Sequence, residues 1–160
     1  MAKYRCRLML AAMCALIFLT ACEHPLAPKN GFFFMGELNG VTWRGDSDAE
    51  LYKDGRLVIW GLRHYSPGNL DDMVIVVEFR GVGKYSIMPQ NAFLRYNYSY
   101  DMGYLRGISF GSDDDQLMIT KYDASERIIE GKVYFELKGV NGHKNMTFNG
   151  RFRAKVRDGY

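Results

Sequence analysis

Short segments in which hydrophobic and polar residues alternate cover most of the chain, and this two-residue period predicts β-strands. The clearest segment is MTFNGRFRAKV, residues 146–156, whose apolar and polar side chains fall on opposite faces of an extended strand. GKVYFELKG, residues 131–139, alternates in the same way. Asn141-Gly142 between them suits a tight turn with positive φ. These features predict a C-terminal hairpin.

Further strands are predicted upstream, separated by turn-forming pairs such as Asn39-Gly40 and Asp54-Gly55. They lie near residues 32–38, 49–53, 56–62, 73–79, 93–100, 104–110 and 116–122. The segment MVIVVEF within them is almost continuously apolar, so we expect a central strand buried on both faces. About nine short strands predict one all-β domain, either an antiparallel β-sandwich or a meander barrel.

The N-terminus has a different pattern, with Lys3, Arg5 and Arg7 preceding an apolar segment, residues 8–19. At about 1.5 Å per residue a helix of this segment would be about 18 Å long, much shorter than a hydrocarbon core of about 30 Å. The segment is therefore predicted to be a cleaved signal peptide rather than a membrane span.

The signal peptide ends in LTAC, residues 19–22, which resembles the lipobox of bacterial lipoproteins. The resemblance implies cleavage before Cys22 and attachment of lipid to its sulfur; two or three acyl chains are needed to hold a protein stably on a membrane. An ordinary signal peptide with a chance cysteine is the alternative. The predicted organisation is a signal peptide at 1–21, a lipidated cysteine and tether at 22–30, and a β domain at 31–160.

Lipoprotein processing would also change the number of cysteines and the net charge of the chain. Cys6 and Cys14 would be removed, which leaves no pair for a disulfide. Three of the 21 basic residues would be lost with them, so that 18 remain to balance 18 acidic residues, and we predict no nucleic-acid partner. No aspartate follows Cys22, and by resemblance to sorted lipoproteins the expected location is the outer membrane, in either leaflet.

Three segments, GELNGVTWRGD at 36–46, ERIIEGKVYFELKG at 126–139 and MTFNGRFRAKV, together resemble small lipoproteins of unknown function from Bacteroides-type bacteria. That group has an Asn-Gly-x-x-Trp element near the start of the domain and two strands rich in aromatic residues at its end. The resemblance implies an architecture and a location. It implies no activity and no catalytic residue.

Four tyrosines are the candidate ligand-binding residues: Tyr96, Tyr98 and Tyr100 share one face of a predicted strand, and Tyr104 follows the next turn. Such a row could bind sugar rings. Tyrosine is also favoured on half-buried strands, so a scaffold role is the alternative. Trp43 and Trp60 carry the same two interpretations, with the core preferred.

Other charged groups have simpler explanations. Asp46, Asp48 and Glu50 alternate and could offer oxygen ligands to calcium, but they lack the pattern of an EF-hand loop. The basic face of the last strand, from Arg151 to Arg157, could meet anionic lipid, or it could be a solvated face paired with Glu136. No metal or other cofactor is predicted.

The sequence contains no nucleophile elbow, P-loop or HExxH motif, so we predict no enzyme. The first hypothesis is a lipid-anchored binding or structural accessory of the cell envelope, with an envelope protein or a glycan as partner. A glycan-binding module that uses the tyrosine-rich face is the alternative. A hydrolase whose site is assembled from distant loops is the third hypothesis.

Overall fold

A computed structural model describes residues 31–66, 69–88, 91–96, 104–109 and 114–160. These residues form ten strands and no helix. In chain order the strands are β1 (Phe33–Leu38), β2 (Val41–Leu51), β3 (Arg56–Ser66), β4 (Asn69–Glu78), β5 (Gly83–Ser86), β6 (Ala92–Tyr96), β7 (Tyr104–Ser109), β8 (Gln116–Asp123), β9 (Ile128–Gly139) and β10 (Met146–Asp158). The described part of the chain thus holds no helix long and apolar enough to cross a bilayer.

Eight of the strands close into an antiparallel barrel, and the other two lie outside it. The ring runs β1, β2, β3, β4, β6, β7, β9, β10 and back to β1. One short parallel contact joins the end of β10 to β2. Strand β9 pairs with β7 through residues 137–139 and with β8 through residues 128–134, so β8 and its partner β5 extend outward from β9. Of the two architectures that the sequence predicts, the β-sandwich and the barrel, the chain therefore forms the barrel.

Aromatic rings fill the interior of the barrel. The largest of them, Phe34, Trp43, Phe135, Phe148 and Phe152, are at most 1% exposed. The Phe148 ring centroid lies 5.4 Å from both Phe34 and Phe135. A Cβ atom placed on Gly61 would come within 2.7 Å of the Phe34 ring, so even a methyl group would require repacking. Packing of this density stabilises the domain.

Two local predictions are confirmed by the register and the burial. β9 and β10 pair continuously from Met146 opposite Leu137 to Lys155 opposite Ile128, which is the expected C-terminal hairpin. In β4, Met73 and Ile75 face the interior, and Val74 on the outer side is only 2% exposed. This strand is thus buried on both faces, as its apolar run indicated.

The two largest differences from the prediction have physical reasons; smaller ones are the continuation of β3 to Ser66 and the earlier start of β4 at Asn69. β2 begins at Val41 instead of Ala49, because its inward positions next to Trp43 are Gly45 and Ser47 and give no hydrophobic alternation. A Cβ atom on Gly45 would lie 2.4 Å from the Leu62 carbonyl oxygen and 3.0 Å from the Trp43 ring, so the close approach of β3 and of the indole leaves room only for glycine. β5 was missed altogether, since four residues are too few to show a period.

Replacement of Phe34 by alanine should lower the free energy of unfolding by about 3–5 kcal/mol, because it leaves a cavity among packed rings. The adjacent Phe33→Ala is the matched control, since Phe33 is half-buried on the outer face. The Phe33→Ala substitution should lower the free energy of unfolding clearly less than Phe34→Ala. Urea denaturation of the two variants measures both values, and equal losses would contradict the inward assignment of Phe34.

Candidate functional site

One row of outward-facing side chains crosses six neighbouring strands, and we call it the cation row. The backbone register places its members directly opposite one another. In order they are Arg44 on β2, Met35 on β1, Arg151 on β10, Lys132 on β9, Met118 on β8 and Lys84 on β5. Successive strand residues face opposite ways, and the chain neighbours of these residues belong to or pack against the core. The row therefore lies on the outer surface.

The first four members of the cation row line a cavity of about 670 Å³, which we call the outer groove. Gly36 and Gly150, opposite each other on β1 and β10, also line the groove and contribute no side chain. Asn149 and Thr42 add neutral polar groups, and Glu37 is the only acidic residue among the lining residues that the structure describes. The volume is within the range of about 300–1,000 Å³ that is usual for ligand sites.

Ion pairing distinguishes two of the three arginines that line the outer groove, since the third, Arg63, pairs with Asp71. Eight of the ten arginines among the described residues form a salt bridge with a carboxylate. Arg44 and Arg151 are the two that do not, and both line the groove. The Arg44 Nε–H is buried without an acceptor, while the Arg151 guanidinium lies 5.6 Å from the centre of the Phe33 ring. The groove thus holds positive charge that the described residues do not neutralise.

The pairing of β9 with β10 concentrates this charge further. Arg151 lies directly opposite Lys132, and neither forms an ion pair within the described ranges. Like charges at directly opposed positions of a sheet are unfavourable. A bound anion would relieve this repulsion, and the groove therefore has the electrostatic character of an anion-binding surface.

A second row runs alongside the first and is almost entirely uncharged; we call it the polar row. Its members, again opposite one another in register, are Thr42, Glu37, Asn149, Tyr134, Gln116 and Ser86. The side chains of Thr42, Ser86 and Asn149 have no hydrogen-bond partner within the described part of the chain. Desolvation, and after it Glu136, raises the pKa of Tyr134, whose hydroxyl donates to a carboxylate oxygen of Glu136 at 3.4 Å. The polar row offers hydrogen bonds beside the cations.

A cluster of charged groups around a buried carboxylate lies at one end of the barrel. We call this end of the barrel the mouth. Asp71 is completely buried and accepts hydrogen bonds from Arg63 Nη2 at 2.5 Å and Arg106 Nη1 at 3.1 Å. Burial raises the pKa of Asp71, and the two guanidinium groups oppose that shift. The Arg63 guanidinium also lies 5.2 Å from the centre of the Trp43 ring.

This cluster has a structural explanation. It closes the end of a filled barrel with a compensated charge, as burial of a carboxylate requires. The Trp43 indole N–H contributes to lowering the Asp71 pKa but lacks the geometry of a formed hydrogen bond. A pocket of about 290 Å³ lies beside the cluster, and Arg63 lines both this pocket and the outer groove.

Residues 30–155 match a protein family described as a domain of unknown function, DUF6252. The chain belongs to this family. The match contains every residue of the cation row and of the polar row. No curated protein and no solved structure matches the chain.

Of the four tyrosines that the sequence predicts as ligand-binding residues, the structure of this DUF6252 domain describes two. Tyr96 and Tyr104 lie opposite each other where β6 ends and β7 begins, and Asp71 pairs with Tyr96 on the other side. Tyr98 and Tyr100 lie outside the described residues, and so does Cys22. Trp43 is part of the core, as preferred. The same prediction for Trp60 is wrong, because Trp60 is only half-buried and lies on the opposite face of β3 from the core residues Leu57 and Ile59.

Two of the three acidic residues of β2 interact with other residues of the chain. Asp48 forms a salt bridge with Arg157, and Glu50 accepts a hydrogen bond of 2.8 Å from the Tyr52 hydroxyl. Burial raises the pKa of Asp48, and Arg157 is among the groups that oppose the shift. Within the described ranges no three His, Cys, Asp or Glu residues are grouped to hold a metal ion.

The basic face of β10 divides into paired and unpaired positions. The expected pairing with Glu136 is wrong, because Thr147 lies opposite Glu136 in the register. Instead Arg153 lies 3.6 Å from Glu130, and Lys155 donates to the Glu126 carbonyl at 2.5 Å. Arg151 alone turns into the outer groove. Sequence analysis missed the groove because its residues come from separate strands, and only the order of strand pairing brings them together.

Substitution of Asp71 by asparagine should lower the free energy of unfolding of the DUF6252 domain by about 3 kcal/mol, because two partly buried guanidinium groups would lose their shared, completely buried counter-charge. Asp54→Asn is the control. It breaks an exposed pair with Arg56 and should change stability little. Thermal or urea denaturation would compare the two. An Asp71 variant as stable as the control would contradict a structural role for the mouth cluster.

Proposed function

We propose that the protein is a lipid-anchored lipoprotein of the bacterial outer membrane that binds an anionic ligand in the outer groove, without catalysing a reaction. The observation that carries the proposal is the pairing pattern of the arginines. Arg44 and Arg151 lack a carboxylate partner in the described part of the chain, and both line the same cavity, opposite Met35 on its two sides. Cations in this arrangement attract and orient anions.

Binding explains the chemistry of the groove better than catalysis does. Its lining supplies cations, a hydroxyl and an amide, which hold a ligand through charge and hydrogen bonds. Among the described lining residues Glu37 is the only carboxylate. General acid–base catalysis most often uses a histidine or a pair of carboxylates, and the described lining residues include neither.

The proposed anchor is the lipid on Cys22, as the lipobox resemblance implies. Ten residues separate Cys22 from Phe33, where β1 begins. A fully extended chain covers at most about 3.6 Å per residue, so the barrel would stay within about 40 Å of the bilayer. The protein would therefore meet ligands or partner proteins of the envelope close to the membrane.

Palmitate labelling tests the anchor. In the native host the wild-type protein should incorporate labelled palmitate and fractionate with the outer membrane, and Cys22→Ser should abolish both. Cys14→Ser is the matched control and should leave both unchanged, because that residue lies within the cleaved segment. A Cys22 variant that still carries label would overturn the assignment.

Titration with inorganic tripolyphosphate and with trigalacturonate tests the groove. The double variant Arg44→Gln/Arg151→Gln should bind either probe at least about tenfold more weakly, because hydrogen bonds to charged groups contribute about 1.5–3 kcal/mol and 1.4 kcal/mol is tenfold in affinity. Lys53→Gln/Arg56→Gln removes the same charge from the turn and strand start after β2 and should bind normally. Equal losses in both variants would show a general charge effect and contradict a groove site.

A further inference from the structure

We propose that the ligand is a linear acidic polysaccharide that lies across the strands, with its anionic groups on the cation row and its hydroxyl groups on the polar row. This inference rests on the proposed function and names its ligand class. Three features of the two rows carry it: their length, the methionines between the cations, and the neutral hydrogen-bonding groups alongside.

The cation row is longer than the outer groove. Groove-lining residues end at Lys132, and the row continues in register through Met118 on β8 to Lys84 on β5. Five steps between adjacent strands, each about 4.8 Å, give a length of about 24 Å. Lys84 forms no ion pair within the described residues. A single small anion would occupy only the groove, whereas a chain of charged units would also reach Lys84.

Methionines separate the cations along the row. Met35 lies between Arg44 and Arg151, and Met118 lies between Lys132 and Lys84. Met118 is 43% exposed, which leaves its apolar side chain available to a ligand. The C–H groups of a sugar ring form an apolar face, and a flexible apolar side chain of this kind can adapt its shape to it. A polymer of inorganic phosphate has no apolar face to place there.

The polar row supplies the groups that sugar hydroxyls need. Thr42, Ser86 and Asn149 can each donate and accept hydrogen bonds, and all three have side chains without a partner in the described part of the chain. Single-stranded nucleic acid, by contrast, is usually bound by stacking of bases on aromatic rings. The cation row contains no aromatic residue, and Tyr134, the one ring in the polar row, is half-buried.

The test measures how affinity depends on ligand length, using the full-length protein purified in neutral detergent. The probes are oligogalacturonates of three and of nine sugar units, and the same nonamer with its carboxylates methyl-esterified. We expect the nonamer to bind at least about tenfold more tightly than the trimer, because the extra charged units bind at high effective concentration. The esterified nonamer should bind far more weakly than the charged one.

Two variants locate the extra contacts. Lys84→Gln and Met118→Gln should each weaken binding of the nonamer about three- to tenfold and leave the trimer unchanged. Lys53→Gln, which removes an equivalent charge elsewhere, should change neither. Circular dichroism would show that all three variants are folded. A lysine on an edge strand also discourages aggregation, and if that were its only role the nonamer would bind Lys84→Gln normally.

Other outcomes separate this inference from the proposed function. Equal affinities for trimer and nonamer, both dependent on Arg44 and Arg151, would overturn the polysaccharide and keep an anion site. Absence of groove-dependent binding to every anionic probe would overturn both. Two further probes complete the set. One is a vesicle that contains phosphatidylglycerol, and the other is a single-stranded DNA of 15 nucleotides. Tighter binding of either one through the cation row would overturn the polysaccharide in favour of a membrane or a nucleic acid.

Discussion

Closure of the barrel depends on β10, the last strand of the chain. One of its edges pairs with β9, and the other pairs first with β1 and then, in parallel, with β2. The two ends of the domain sequence are thus joined in one sheet, and the barrel has no open edge between them. The same pairing places residues of β2, β1, β10 and β9 side by side, so the outer groove exists only when the barrel is closed.

The charged groups at the mouth are compensated by ion pairs, whereas those in the outer groove are screened by water, because the two sites differ in their access to solvent. At the mouth a completely buried Asp71 is compensated by Arg63 and Arg106, since an isolated buried charge would cost too much free energy. In the groove Arg151 and Lys132 are exposed, and water screens their repulsion. Their charge therefore costs little stability and remains available to a ligand.

Proximity to a membrane would add to the proposed role of the groove. A lipid anchor confines a protein to a thin layer, and this confinement raises its effective concentration toward ligands fixed in the same envelope. Weak, multivalent contacts along an extended row would then be sufficient for retention. The sheet already fixes the backbone of the charged row, so a ligand that binds there orders only side chains, at about 0.5–1.5 kcal/mol for each one.

The sequence by itself determined the all-β class, the C-terminal hairpin and the doubly buried strand β4, because each is encoded by local alternation or by an Asn-Gly turn. It could not show β5, which is too short to have a period. It also could not show the first half of β2, because Gly45 and Ser47 follow Trp43 at the inward positions and interrupt the hydrophobic alternation. Only the tertiary structure chose a closed barrel and aligned Arg44, Arg151, Lys132 and Lys84 in one row. The physical reason is that alternation and turn type set the register only within a hairpin, whereas the order of strands and the pairing of strands distant in the sequence arise from long-range contacts.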